Sequence, residues 1–164
     1  MRNKRNNFAF IDSQNLYLGI HALGWKLDFS RFRKYLTDKY GVSTAFLFIG
    51  YIPSNEILYA NLCKQGFELI FKQTNAYKQH TKGNVDAELI LHALIKTPIY
   101  SKAILVTGDG DFLCLAEYLI SNSRLEKILV PNKMKCAQTL QKLNLIAPHI
   151  IDYLELKKDK LRYK

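Results

Sequence analysis

Asp109 and Asp111, separated only by Gly110, follow directly on the apolar run Ile104-Leu105-Val106 and the pair Thr107-Gly108. Two carboxylates so close repel each other unless a cation or a proton lies between them, so the spacing suits a divalent-metal site. Asp12 closes a second apolar run, Phe8-Ala9-Phe10-Ile11, just before a helical pattern begins at Leu16. Asp12 and Asp109 thus occupy the same kind of strand-to-helix position, although an acid there also serves as a helix cap. Asp86 opens the helical stretch 85–95, and a helical wheel puts it inside the arc of Leu89, Ile90, Ala93 and Leu94. Burying an unpaired carboxylate is costly. Asp86 therefore caps the helix, pairs with a base, or lines a polar cleft that holds a cation. Asn15 offers a donor and an acceptor to a phosphate or water, and Glu88 with His92, four residues apart, reads as a surface pair.

The elements that must position these acids alternate along the chain. Short apolar strands are expected at 8–12, 44–51, 67–71, 104–106 and 127–130, with an edge strand at Ile150-Ile151. Helical patterns separate them, among them Phe29, Phe32, Leu36 and Tyr40 with Arg31, Arg33, Lys34 and Lys39 between, closed by Gly41. Leu140 and Leu143 mark a final helix. Such alternation predicts an α/β fold, a three-layer α/β/α sandwich on a mostly parallel central sheet. Open sheets of this kind bind ligands at the carboxyl ends of their strands, where Asp12, Asp109 and Asp111 fall. Residues 72–84 lack apolar periodicity and hold lysines, a histidine and a tyrosine, so they read as a mobile loop that contacts substrate by charge and stacking.

The 164 residues fit one domain, and no apolar run approaches the roughly 20 residues that span a bilayer. A cytoplasmic protein without a membrane partner is expected. Cys63, Cys114 and Cys136 lack the spacing of zinc or redox sites and are expected to be reduced thiols. The 24 Lys and Arg against 14 Asp and Glu give +10. That balance makes nucleic acid the first partner to consider. Four carboxylates, Asp12, Asp86, Asp109 and Asp111, would then surround one or two Mg²⁺ or Mn²⁺ ions and hydrolyse a phosphodiester with a metal-activated water. No protein nucleophile is needed, which agrees with the absence of a G-x-S-x-G elbow or an evident Cys-His pair.

Phe10-Ile11-Asp12-x-x-Asn15, Lys82-Gly83-x-x-Asp86 and Thr107-Gly108-Asp109-Gly110-Asp111-Phe112, in this order, resemble the NYN domain, a branch of the PIN-like nucleases, in its LabA-like form. The resemblance covers roughly Phe8 to Leu154, leaving 155–164 as a basic C-terminal tail after a domain at 1–154. The tail, rich in lysine, is expected to be frayed. The resemblance implies a PIN-like sheet, a divalent metal at Asp12, Asp86, Asp109 and Asp111, and, for active members, ribonuclease activity. Asn15, Lys82 and Thr107 are the expected substrate contacts, RNA is favoured over DNA, and a homodimer is allowed because PIN-like domains often pair. Thr107 keeps the hydroxyl of the family's usual serine. One departure stands out: His92 takes a position where many relatives carry a further acid. The rival reading is therefore a PIN-like module that binds RNA or a protein but cuts slowly or not at all. A haloacid-dehalogenase-like phosphatase needs a second acid two residues after the nucleophile, where this chain has Gln14, and a dinucleotide binder needs a G-x-G-x-x-G that is absent.

Overall fold

The computed structural model describes residues 5–72 and 85–164. The elements run β1 (Asn7–Asp12), α1 (Ser13–Ala22), α2 (Phe29–Tyr40), β2 (Val42–Gly50), α3 (Glu56–Lys64), β3 (Phe67–Lys72), α4 (Val85–Ile95), β4 (Ala103–Val106), α5 (Leu113–Ser121), β5 (Leu125–Val130), α6 (Gln138–Gln141), β6 (Ile151–Tyr153) and α7 (Lys158–Leu161). Among the described residues, six strands form one sheet in the order β3-β2-β1-β4-β5-β6. Every pairing is parallel, where a mostly parallel sheet was expected.

The strands read as continuous apolar runs because helices cover both faces. Phe8, Phe10, Phe46, Phe48 and Leu105 pack on one face with Leu89 and Ala93 of α4 and Leu115 and Leu119 of α5. Their strand neighbours Ala9, Ile11, Ala45, Leu47 and Ile104 turn to the other face, against Leu16 and Ile20 of α1 and Phe32 and Leu36 of α2. The side-chain period of two along each strand thus divides one apolar sequence between two cores. The chain winds outward from β1 to β3, then returns to place β4 on the other side of β1. The adjacent carboxyl ends of β1 and β4 form the topological switch point, where the flanking connections depart in opposite directions and leave a crevice.

Two expectations need correction. The helix expected as the last, at Leu140 and Leu143, is short and is followed by another: α6 passes into a 3₁₀ turn at Lys142–Leu145 and α7 comes after it, while Leu140 and Leu143 are both buried. The C-terminal tail is not frayed through Leu161 to Tyr163. Leu161 is buried against the core that holds α2, the Asp28 N–H donates to the Leu161 carbonyl at 2.8 Å, and the Tyr163 N–H donates to the Lys26 carbonyl at 2.8 Å. Composition suggested solvation, but one leucine at the right position docks the segment. The three cysteines are free as expected, and no helix of the described residues is long and apolar enough to cross a membrane.

Candidate metal centre

Asp12 is the last residue of β1 and also the N-cap of α1, its Oδ1 accepting from the Asn15 N–H at 3.2 Å. Thr107, the residue after β4, donates its hydroxyl to Asp12 Oδ2 at 3.2 Å and accepts the Asp109 N–H at 3.1 Å. The Asn15 side-chain oxygen accepts the Gly108 N–H at 2.8 Å. These bonds tie the β1–α1 turn to the β4–α5 turn across the switch point. The β4 turn is held from its far side as well. The Ala137 N–H donates to the Gly108 carbonyl at 3.0 Å, and a Cβ built on Gly110 would stand 2.9 Å from Thr139 Oγ1. Glycine at 110 therefore permits a close approach that another residue would obstruct.

Asp86 arrives from the first turn of α4, whose Leu89 and Ala93 anchor the helix over β1 and β2. Asp12, Asp86 and Asp109 each present a carboxylate oxygen, and the three oxygens lie within 4.8 Å of one another. Oxygen ligands on one hard cation lie roughly 3 to 4 Å apart, so small side-chain rotations suffice to match that spacing. Asp12 is buried and Asp86 and Asp109 are half-buried. Among the described residues, none of the three is ion-paired to Lys, Arg or His.

The electrostatic consequence is large. Burial raises the Asp12 pKa from 3.8 to about 6, with the charges of Asp86 and Asp109 adding to the rise and the bonds from Asn15 and Thr107 opposing it. Asp86 is also raised, first by burial and then by Asp109 and Asp111, while Lys72 pulls it back. An uncompensated cluster of acids in a chain of charge +10 fits a hard divalent cation by its donor chemistry and its missing counter-charge.

The other expected site residues divide. Asp111 is exposed and outside the close trio; its N–H donates to Asp109 Oδ1 at 2.9 Å, and its charge reaches Asp86. Asn15 and Thr107 sit at the centre, with the bonds just described holding its loops in place. Lys82 lies outside the described residues, as does the 73–84 part of the expected substrate loop. His92 meets Glu88 at 3.9 Å, as expected of a surface pair, and lays its ring edge-on to Phe48 at 5.5 Å. Lys72, expected in the substrate loop, is instead the last residue of β3, and its charge reaches Asp86. Its place at the carboxyl end of an apolar strand, the same kind of place as Asp12, was the available signal.

The parallel α/β/α sandwich gathers three aspartates at the carboxyl edge of its sheet. The chain belongs to the NYN domain family, whose model matches residues 8–154. The fold is also similar to a crystal structure of a protein of unknown function from Vibrio parahaemolyticus, with a TM-score of 0.73, 23% identity and 99% of each chain covered. No curated protein matches the sequence.

Proposed function

We propose that the protein is a metal-dependent ribonuclease that hydrolyses RNA phosphodiester bonds at Asp12, Asp86, Asp109 and Asp111. The observation that carries this reading is the convergence of three carboxylates, from the end of β1, the first turn of α4 and the turn after β4, within 4.8 Å and without a basic partner among the described residues. Membership of the NYN family supports it. Asp12, Asp86 and Asp109 would hold Mg²⁺ or Mn²⁺, with Asp111 adding negative charge at the rim. A cation held there would supply charge neutralisation at the scissile phosphate and lower the pKa of a water. Asp12, whose pKa burial raises to about 6, must lose its proton before it can serve as a ligand. Thr107 fixes the Asp12 carboxylate and the Asp109 backbone together, and Asn15 holds the Gly108 amide, so the ligand oxygens need little reorganisation. Lys72, whose charge reaches Asp86, is a candidate phosphate contact, and Lys82 keeps that role as a proposal. RNA is the proposed substrate.

The test is cleavage of labelled single-stranded RNA and its DNA counterpart with Mn²⁺, with Mg²⁺ or with EDTA, on the wild type and on Asp109→Asn. Cleavage of RNA that requires the metal and disappears in Asp109→Asn is expected. Activity that survives both the chelator and the substitution overturns the proposal.

A further inference from the structure

Two basic stretches far apart in sequence, neither of them part of the acidic centre, meet on the outer side of α2. Backbone bonds from Asp28 to Leu161 and from Tyr163 to Lys26 pin α7 beside the start of α2. Between the two helices lies a pocket of about 480 Å³. Its lining carries Arg31, Lys34 and Lys39 from α2 and Lys160 from α7 against a single carboxylate, Asp38. The half-buried Tyr35 ring is part of the wall.

The cations are available to a ligand in different degrees. Lys39 is committed, contacting Asp152 at 3.2 Å and lying over the rings of Tyr35 and Tyr40 at 5.5 and 5.2 Å. Arg31 meets Asp28 at 3.5 Å with a partly exposed side chain, and Lys34 meets Asp38 in a pair open to solvent. Exposed pairs of this kind contribute little and exchange readily for a phosphate. Lys160 has no ion-pair partner among the described residues. By contrast Arg33, on the same helix, is spent on the Gly66 and Ser43 carbonyls at 2.9 Å each and lies outside this lining. Three exchangeable cations around an aromatic wall, in a volume suited to a small polar ligand, match one nucleotide unit: phosphate to the cations, base or ribose against the ring.

We infer that the α2–α7 pocket is a phosphate-binding anchor for a nucleic-acid strand, separate from the acidic centre. Arg31, Lys34 and Lys160 contact phosphates and Tyr35 packs against a base or sugar. That the strand is RNA rests on the proposed ribonuclease reading; the binding itself does not.

The experiment is fluorescence anisotropy of a labelled oligouridylate of about 12 nucleotides with the full chain in EDTA, between roughly 50 and 200 mM salt. The double variant Lys34→Glu/Lys160→Glu should bind at least about 10-fold more weakly. Its salt slope should fall by about 1.4, the value for two lost phosphate contacts on a single strand. A folded double variant with wild-type affinity and slope overturns the inference, as does displacement of the strand by micromolar ATP, which marks a free-nucleotide pocket instead. If the double variant does not fold, Lys160→Gln alone, altering one exposed side chain, must lower the slope by about 0.7. Protein that binds through this pocket yet cuts nothing refutes the nuclease reading and leaves the anchor standing. Metal-dependent cleavage with unaltered binding in the double variant does the reverse.

Discussion

Asp12→Asn should stabilise the metal-free protein while abolishing its function. Burial and the neighbouring carboxylates lift the Asp12 pKa from 3.8 to about 6. At about 1.36 kcal/mol per unit, ionised Asp12 costs the folded state about 3 kcal/mol once both states have lost the proton. The sign follows from a raised pKa. Below 3.8 the carboxyl is protonated in both states and the cost is absent; it develops as pH rises from 3.8 to about 6 and is complete above that. Asparagine keeps the shape and can still accept from the Asn15 N–H, although the Thr107 hydroxyl loses its charged acceptor. The net gain expected at pH 7.5 in EDTA is therefore about 1 to 3 kcal/mol. Urea unfolding followed by circular dichroism measures it, with the two proteins converging near pH 4. Saturating Mn²⁺ should then stabilise the wild type and leave Asp12→Asn unmoved. An Asp12→Asn protein no more stable than wild type in EDTA at pH 7.5, or one that gains as much from Mn²⁺, would refute the reasoning.

Because Asp12 must be ionised to hold a cation, Mn²⁺ affinity by calorimetry should fall as pH drops below about 6, and affinity independent of pH between 5 and 8 contradicts this. Thr107→Val removes the donor to Asp12 and the acceptor for Asp109 and should cost about 1 to 3 kcal/mol in urea melts. It should also move the acidic limb of the activity profile to higher pH, whereas Thr107→Ser should restore both properties. Gly110→Ala places a methyl group 2.9 Å from Thr139 Oγ1 and 3.1 Å from Ala137 Cβ. It should lower kcat about 10-fold by shifting Asp109, with metal-free stability reduced by about 1 to 3 kcal/mol; unchanged kcat tells against a tightly buttressed turn. Leu161→Ala, at a position only 1% exposed, should destabilise by about 2 to 5 kcal/mol, while a truly frayed tail would show no change in a thermal melt.

The acids Asp12, Asp86 and Asp109 were legible as candidates because local rules exposed them: strand-ending acids before helices, and a carboxylate on the apolar arc of α4. The alternation of strands and helices likewise specified the layered sandwich. Periodicity of two, however, says only that successive residues point to opposite faces. It does not say which helix covers Phe10 and which covers Ile11, or that every strand is parallel; winding order and packing decide both. Asp12 as helix cap and Asp12 as metal ligand looked like competing readings in one dimension. In three dimensions they coexist, because one carboxylate oxygen accepts from Asn15 while the residue also supplies an oxygen to the acidic trio.

The sequence by itself determined the elements and the chemical kinds available at their ends, since propensity and apolar periodicity act within a few residues. Only the tertiary structure decided distances between residues separated by many tens of positions. It drew Asp12, Asp86 and Asp109 within 4.8 Å while leaving Asp111 at the rim, and it turned Asn15 and Thr107 into the ties between two loops. It also brought Lys160 of the supposed tail alongside Lys34 of α2. Each of these depends on burial against a shared core, and burial at Leu161 or Asp12 is a property of what packs around a residue, beyond the reach of its neighbours in the chain.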